Sequence, residues 1–122
     1  MSRPLNREDI QGMGALAYKD SGLYITKKGS VYLEVEKDKF IYTLPSFDHN
    51  HHKVYRDKLL CGMVAELFMA NPNKWEYVRY IREDTNDNSV DNLMWCNGDV
   101  DSDIKVTGMH FMPNRALGGS IA

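Results

Sequence analysis

One segment of this chain has the pattern of a long amphipathic helix, and it limits what the rest can be. In "KLLCGMVAELFMA", Lys58 to Ala70, the residues Leu59, Leu60, Met63, Val64, Leu67 and Phe68 recur at helical spacing and form one apolar stripe. Asp57 is placed to cap its start, and Asn71-Pro72-Asn73 stops it. A second, shorter helix is expected over Asn6 to Lys19. Asn6 would cap it, Glu8 and Asp9 suit the positive end of the dipole, and Ile10, Met13, Leu16 and Ala17 form its apolar face. Gly12 and Gly14 weaken that helix, and Ser21-Gly22 ends it.

Between and after the helices the period changes to two. "LYIT" leads into the turn signal Lys27-Lys28-Gly29, and in "SVYLEVE" Val31, Leu33 and Val35 alternate with Tyr32, Glu34 and Glu36. Lys37-Asp38 then reverses the chain into "KFIYTL", which predicts a hairpin. Pro45 to His52, "PSFDHNHH", reads as a loop, and "WEYVRYI" and "DNLMWC" read as short strands around an Asn/Asp-rich loop. The expectation is an α+β fold with a small antiparallel sheet and a central helix, in a single domain of 122 residues. From Gly108 onward the chain is a poor element former and is expected to be a loosely docked tail.

Charge narrows the partners. The net charge is −2, whereas a protein held to DNA mainly through phosphates is usually basic. From Glu83 to Asp103, however, seven acidic residues (Glu83, Asp84, Asp87, Asp91, Asp99, Asp101, Asp103) stand without a Lys or Arg, which leaves the rest of the chain at net +5. Such a block collects cations, repels nucleic acid, faces a basic partner, or is simply a solvated loop. Lys27, Lys28, Lys53, Arg56 and Lys58 are the candidate DNA contacts, near Tyr24, Tyr32 and Tyr42; interleaved Glu34, Glu36, Asp38 and Asp57 allow a solvated mixed-charge face instead. Cys61 and Cys96 form no C-x-x-C pair, so neither a zinc ribbon nor a disulfide framework is indicated. No apolar run approaches the roughly 20 residues of a membrane span, and "MSRPLNREDI" lacks a signal-peptide core, so a cytoplasmic protein without membrane contact is expected.

Order and spacing together carry a resemblance. "YITKKGSVY" resembles the pattern Y-x-V-S-x-x-G-x-V, and "MVAELFMANPN", Met63 to Asn73, resembles the helix and turn before a metal finger. "VRYIREDTNDNSVDNLMW", Val78 to Trp95, aligns without gaps on V-N-H-I-D-G-N-x-x-N-N-x-x-D-N-L-x-W. Over about residues 23–101 the chain resembles the HNH (His-Me finger) homing endonucleases of phages and mobile elements. The resemblance implies a ββα metal finger, a DNA substrate and, for an active enzyme, Mg²⁺.

The departures fall on the chemistry. The family's N-H pair supplies a metal ligand and the histidine that deprotonates the attacking water; here those positions are Arg79 and Tyr80. Arg is always cationic and does not bind a divalent cation, and Tyr, with an ordinary pKa near 10, is a poor general base at neutral pH. The family's I-D-G turn is Ile81-Arg82-Glu83. Asn88, Asp91, Asn92, Leu93 and Trp95 keep the scaffold; the resemblance makes Asn92 the residue that would orient the histidine, now with none to orient. The later metal ligand would fall near Asp101, and the last helix of the finger is expected to be degraded or missing.

"DHNHH" is the other metal candidate: His49 and His51, with His52 and Asp48 to complete a set, against an exposed polar loop, which is the favoured reading. His110 is a remote further ligand or base. Trp75, Tyr77 and Trp95 are expected in the core. Three functions stay open. The first is a catalytically degenerate HNH-related protein that needs no cofactor and binds DNA, or binds a basic host protein through Glu83, Asp84, Asp87 and Asp91 as a regulator or inhibitor. The second is a live metal-dependent HNH-type endonuclease with a non-standard site. The third is a structural part of a virion or complex.

Overall fold

A computed structural model of the chain describes residues 5–106. The amphipathic stripe does form the central helix, α2, Leu60–Phe68, in which Leu60 through Ala65 are all buried. It starts two residues later than its periodicity suggests. Arg56 and Asp57 both have positive φ (49° and 64°), which makes a tight hairpin turn between strands Lys53–Tyr55 and Lys58–Leu59. Asp57 therefore closes a hairpin instead of capping a helix, and the cap position falls to Leu59, whose side chain makes no capping bond.

The N-terminal helix is likewise shorter than expected. α1 spans Arg7–Gly12 and begins with a capping box: the Asn6 side chain accepts from the Asp9 N–H while the Asp9 carboxylate accepts from the Asn6 N–H. Gly14, at φ 75°, turns the chain out of the helix. Leu16 and Ala17 then pair with Ile25 and Tyr24 as strand β1, Leu16–Ala17, instead of extending α1.

The remaining strands are β2 Leu23–Ile25, β3 Val31–Glu36, β4 Lys39–Tyr42, β5 Ser46–Phe47, β6 Lys53–Tyr55, β7 Lys58–Leu59, β8 Tyr77–Tyr80, β9 Leu93–Cys96 and β10 Ile104–Lys105. They form three antiparallel sheets, in the orders β1-β2-β3-β4, β5-β6-β7 and β10-β8-β9. The expected β3–β4 hairpin is present, with a register shift between Glu34 and Glu36. The Pro45–His52 loop is partly strand: Ser46 and Phe47 pair with Val54 and Lys53. The fold is α+β, as expected, with α2 contacting strands of the second and third sheets.

α2 supplies the centre of the core. Its buried residues share one cluster with Tyr18, Leu23, Ile25 and Val31 of the first sheet and the chain leading into it, Tyr55 of the second, and Val78, Leu93 and Trp95 of the third. A smaller cluster of Ile10, Ala15 and Phe40 lies under α1, with Tyr24 and Tyr32 against it. Trp95 is buried, with its indole N–H donating to the Met69 carbonyl at 3.2 Å, but Trp75 stays 36% exposed and is not a core residue. After β9 no finger helix follows among the described residues; the chain loops through 97–103 and adds β10 to the free edge of β8. The tail from Gly108, with His110, lies outside the described residues.

Candidate functional site

β8 and β9 pair Tyr80 with Leu93, Arg79 with Met94, and Val78 with Trp95. Side chains alternate along a strand, so Val78 and Tyr80 face α2 while Arg79 faces the other way. The two positions that the resemblance marks as metal ligand and base thus point to opposite faces of β8.

Each has an internal partner. Arg79 grips Asp103 with two parallel bonds, Nε to Oδ1 at 2.7 Å and Nη2 to Oδ2 at 2.9 Å. The Asp103 side chain has no exposed surface; its Oδ2 also accepts from the Val100 N–H. Hydrogen bonding from Arg79 is the main reason the Asp103 carboxyl sits well below the usual range, and the same pair pushes the Arg79 guanidinium up. Tyr80 turns inward, and its hydroxyl donates to Asn88 Oδ1 at 2.6 Å. Burial is the largest cause holding the phenol well above its ordinary pKa, followed by the neighbouring Cys61 thiol. Burial likewise raises Cys61 to about 11. A phenol in this setting keeps its proton at neutral pH.

The loop between the strands is closed by the residues that the alignment preserves. Asn92 is fully buried and makes three bonds: its amide donates to the carbonyls of Asp84 (3.1 Å) and Asp87 (2.9 Å), and its Oδ1 accepts from the Arg82 N–H (2.6 Å). Asn92, which the spacing marks as scaffold with no histidine left to orient, stitches the loop shut with its side chain. Asn88, 2% exposed, donates to the Thr85 carbonyl at 3.1 Å besides holding Tyr80. Its role at position 80 was missed; the Asn-rich spacing gave no sign of which asparagine would reach the strand.

Seven acidic residues do not make seven free charges. Asp87 accepts from Ser89 N–H and Oγ and pairs with Arg82 Nη2 at 2.5 Å, which lowers its pKa, Ser89 contributing most. Asp103 is held by Arg79. Glu83, Asp84 and Asp91 remain exposed. Beside them stand lysines. The Lys27 carbonyl accepts from the Val90 N–H (2.9 Å), and Lys53 Nζ donates to the Asn86 carbonyl (3.0 Å). A Cβ on Gly29 (φ 86°) would lie 3.1 Å from the Asn88 carbonyl oxygen, so the 26–30 turn packs directly on the loop. Lys27, Lys28 and Lys53 therefore border the acidic loop, whereas Arg56 and Lys58 lie at the other end of β6.

The bonds of the histidine loop are mostly its own. Asp48 Oδ1 accepts from the Asn50 and His52 N–H groups, both at 2.9 Å. These bonds, and the nearby His52 and His49, lower its pKa despite the opposing effect of burial. His52 Nδ1 lies 3.5 Å from Asp48 Oδ2, and its ring stacks on Tyr80 at 6.0 Å. His49 and Asp101, both suggested as ligands, line one cleft of about 560 Å³ with Asp48, His52, Ser102 and Lys105. His51, at φ 63°, is not among the lining residues. Among the described residues no three His, Cys, Asp or Glu side chains converge as a metal set. Donors at the finger do not fit the divalent cation that the resemblance implies, since a guanidinium stands bonded to the carboxylate there.

No protein-family model matches the chain, and no solved structure matches it. Among curated proteins it is similar to an uncharacterized HNH endonuclease of Acanthamoeba polyphaga mimivirus, 31% identical over 75 residues. That stretch is 62% of this chain and 22% of the viral protein, so the chain spans about a fifth of its relative's length. The likeness supports a relationship to the HNH endonucleases. No helix among the described residues is long and apolar enough to cross a membrane.

Proposed function

We propose that this chain is an HNH-related protein that binds DNA and does not cut it through the finger. One observation carries the reading. Arg79 and Tyr80, at the ligand and base positions, are both engaged by internal partners, Asp103 and Asn88. A fixed guanidinium repels a divalent cation, and a half-buried phenol that donates its proton to an amide oxygen takes none from water. Loss of a positioned base costs about 10²–10⁴ in rate before the missing metal is counted.

Lys27, Lys28 and Lys53 bordering the 84–90 loop favour DNA over a basic protein, and so does the internal neutralisation of Asp87 and Asp103. The relative is named an endonuclease, and its viral source agrees with an origin in a virus or mobile element.

The test is a pair of measurements on the full chain. Duplex DNA should be bound in a salt-sensitive manner, and supercoiled plasmid should stay intact with Mg²⁺, Mn²⁺ or Zn²⁺. Metal-dependent nicking that disappears in Asp91→Ala or Asn92→Ala would overturn the reading in favour of a live nuclease. Absent DNA binding, with capture of a basic protein from host lysate, would move the function to the acidic face.

A further inference from the structure

Asn97-Gly98 is the one Asn-Gly pair in the chain. It opens the loop from β9 to β10, and Asn97 is exposed. No hydrogen bond to the Asn97 side chain is found among the described residues, which separates it from most other asparagines. Asn6, Asn71, Asn88 and Asn92 all have their amides bonded. Asn73 and Asn86 are followed by Lys and Asp, whose side chains crowd the next backbone nitrogen.

Gly98 is a requirement of the fold. It sits at φ 86°, and a Cβ there would lie 2.8 Å from the Tyr77 ring. The pair therefore cannot be defused from the glycine side without displacing Tyr77.

We propose that Asn97 is a site of spontaneous deamidation. The backbone nitrogen of Gly98, which carries no side chain of its own and whose N–H must first release the Cys96 thiol, attacks Asn97 Cγ, and ammonia leaves as the five-membered imide closes. Water then opens the imide at either carbonyl, giving aspartate or isoaspartate at position 97. The net change is amide plus water to carboxylate plus ammonium, and it needs no other reactant. The product adds a negative charge beside Asp99 and Asp101. Its isoaspartyl form inserts one carbon into the backbone of the loop whose far end carries Asp103, the partner of Arg79.

Incubating the folded chain at neutral and mildly alkaline pH, followed by peptide mapping, tests this. The peptide containing Asn97 should show the mass gain of an amide-to-acid conversion, faster at higher pH, and should accept a methyl group from an isoaspartyl methyltransferase. Asn97→Gln should abolish both signals. Conversion in the denatured chain but not the folded one would mean that the fold protects Asn97, and would overturn the proposal. Conversion at Asn73 or Asn86 ahead of Asn97 would do the same.

Discussion

Asn92 illustrates how a residue can be legible as a position and illegible as a role. Its place in the D-N-L-x-W spacing marks it as scaffold, but which groups it bonds depends on how the loop folds back. Those groups are the Arg82 N–H and the carbonyls of Asp84 and Asp87. Removing a buried partner leaves each orphaned group unsatisfied at about 1–3 kcal/mol. Asn92→Ala should therefore lower stability by roughly 2–4 kcal/mol, since part of the loop can rehydrate. The check is a lower urea midpoint at unchanged slope; a shift within error would mean the loop is not closed by this side chain. In the sequence Arg79 and Asp103 stand apart, one at a lost ligand position and the other as one of seven acids. Their pairing depends on β10 returning to the edge of β8, which local pattern does not reveal. Asp103 is lowered in the folded state, so its contribution is present above the unfolded carboxyl range, about 4. It is lost as pH falls below that value toward the folded pKa. Asp103→Asn should weaken the protein at neutral pH and flatten the drop in stability on acidification. An acid transition as steep as in the unaltered chain would exclude Asp103 as a contributor.

At the scale of elements, periodicity placed α2, the β3–β4 hairpin and the two finger strands, because each buries a regular face. It failed where two-residue turns decide the outcome. Arg56-Asp57 has no Asn-Gly signature, yet both residues take positive φ, and the hairpin consumes the first two residues of the expected helix. Ser46-Phe47 and Leu16-Ala17 are too short to show alternation, and tertiary pairing alone makes them strands. α2 carries one further constraint, at Gly62, where helix propensity alone would favour alanine. A Cβ there would stand 2.7 Å from the Val106 Cβ, which follows β10 and packs against the helix. Gly62→Ala should thus destabilise by about 1–3 kcal/mol through overpacking, despite the better helix former. Adding Val106→Gly should recover part of the loss, because it removes the opposing Cβ together with its methyls. Additive losses in the double variant would show that the two residues do not meet.

Charge distribution belongs to the whole molecule, and the chain's total of −2 hides it. The fold gathers Lys27, Lys28 and Lys53 at the rim of the 84–90 loop and leaves Glu83, Asp84 and Asp91 exposed near them, so attraction and repulsion act on one surface. If DNA lies on this rim, each neutralised phosphate adds about 0.9 to the log–log salt slope. Three lysines then predict a slope of about −2.7, and about −4.5 if Arg56 and Lys58 also touch DNA. The acids supply the sign test. Glu83→Gln, Asp84→Asn and Asp91→Asn together should strengthen DNA binding by roughly fivefold at low salt, on the order of 1 kcal/mol once screening is allowed for. Asp87 is left intact in that variant because it holds Ser89 and Arg82, and its loss would confound charge with loop structure. The gain should vanish at high salt, where the Debye length falls to about 3 Å. Unchanged DNA affinity would place the three acids away from the DNA. Unchanged affinity together with lost capture of a basic protein would instead make the same three side chains the contact surface for that partner.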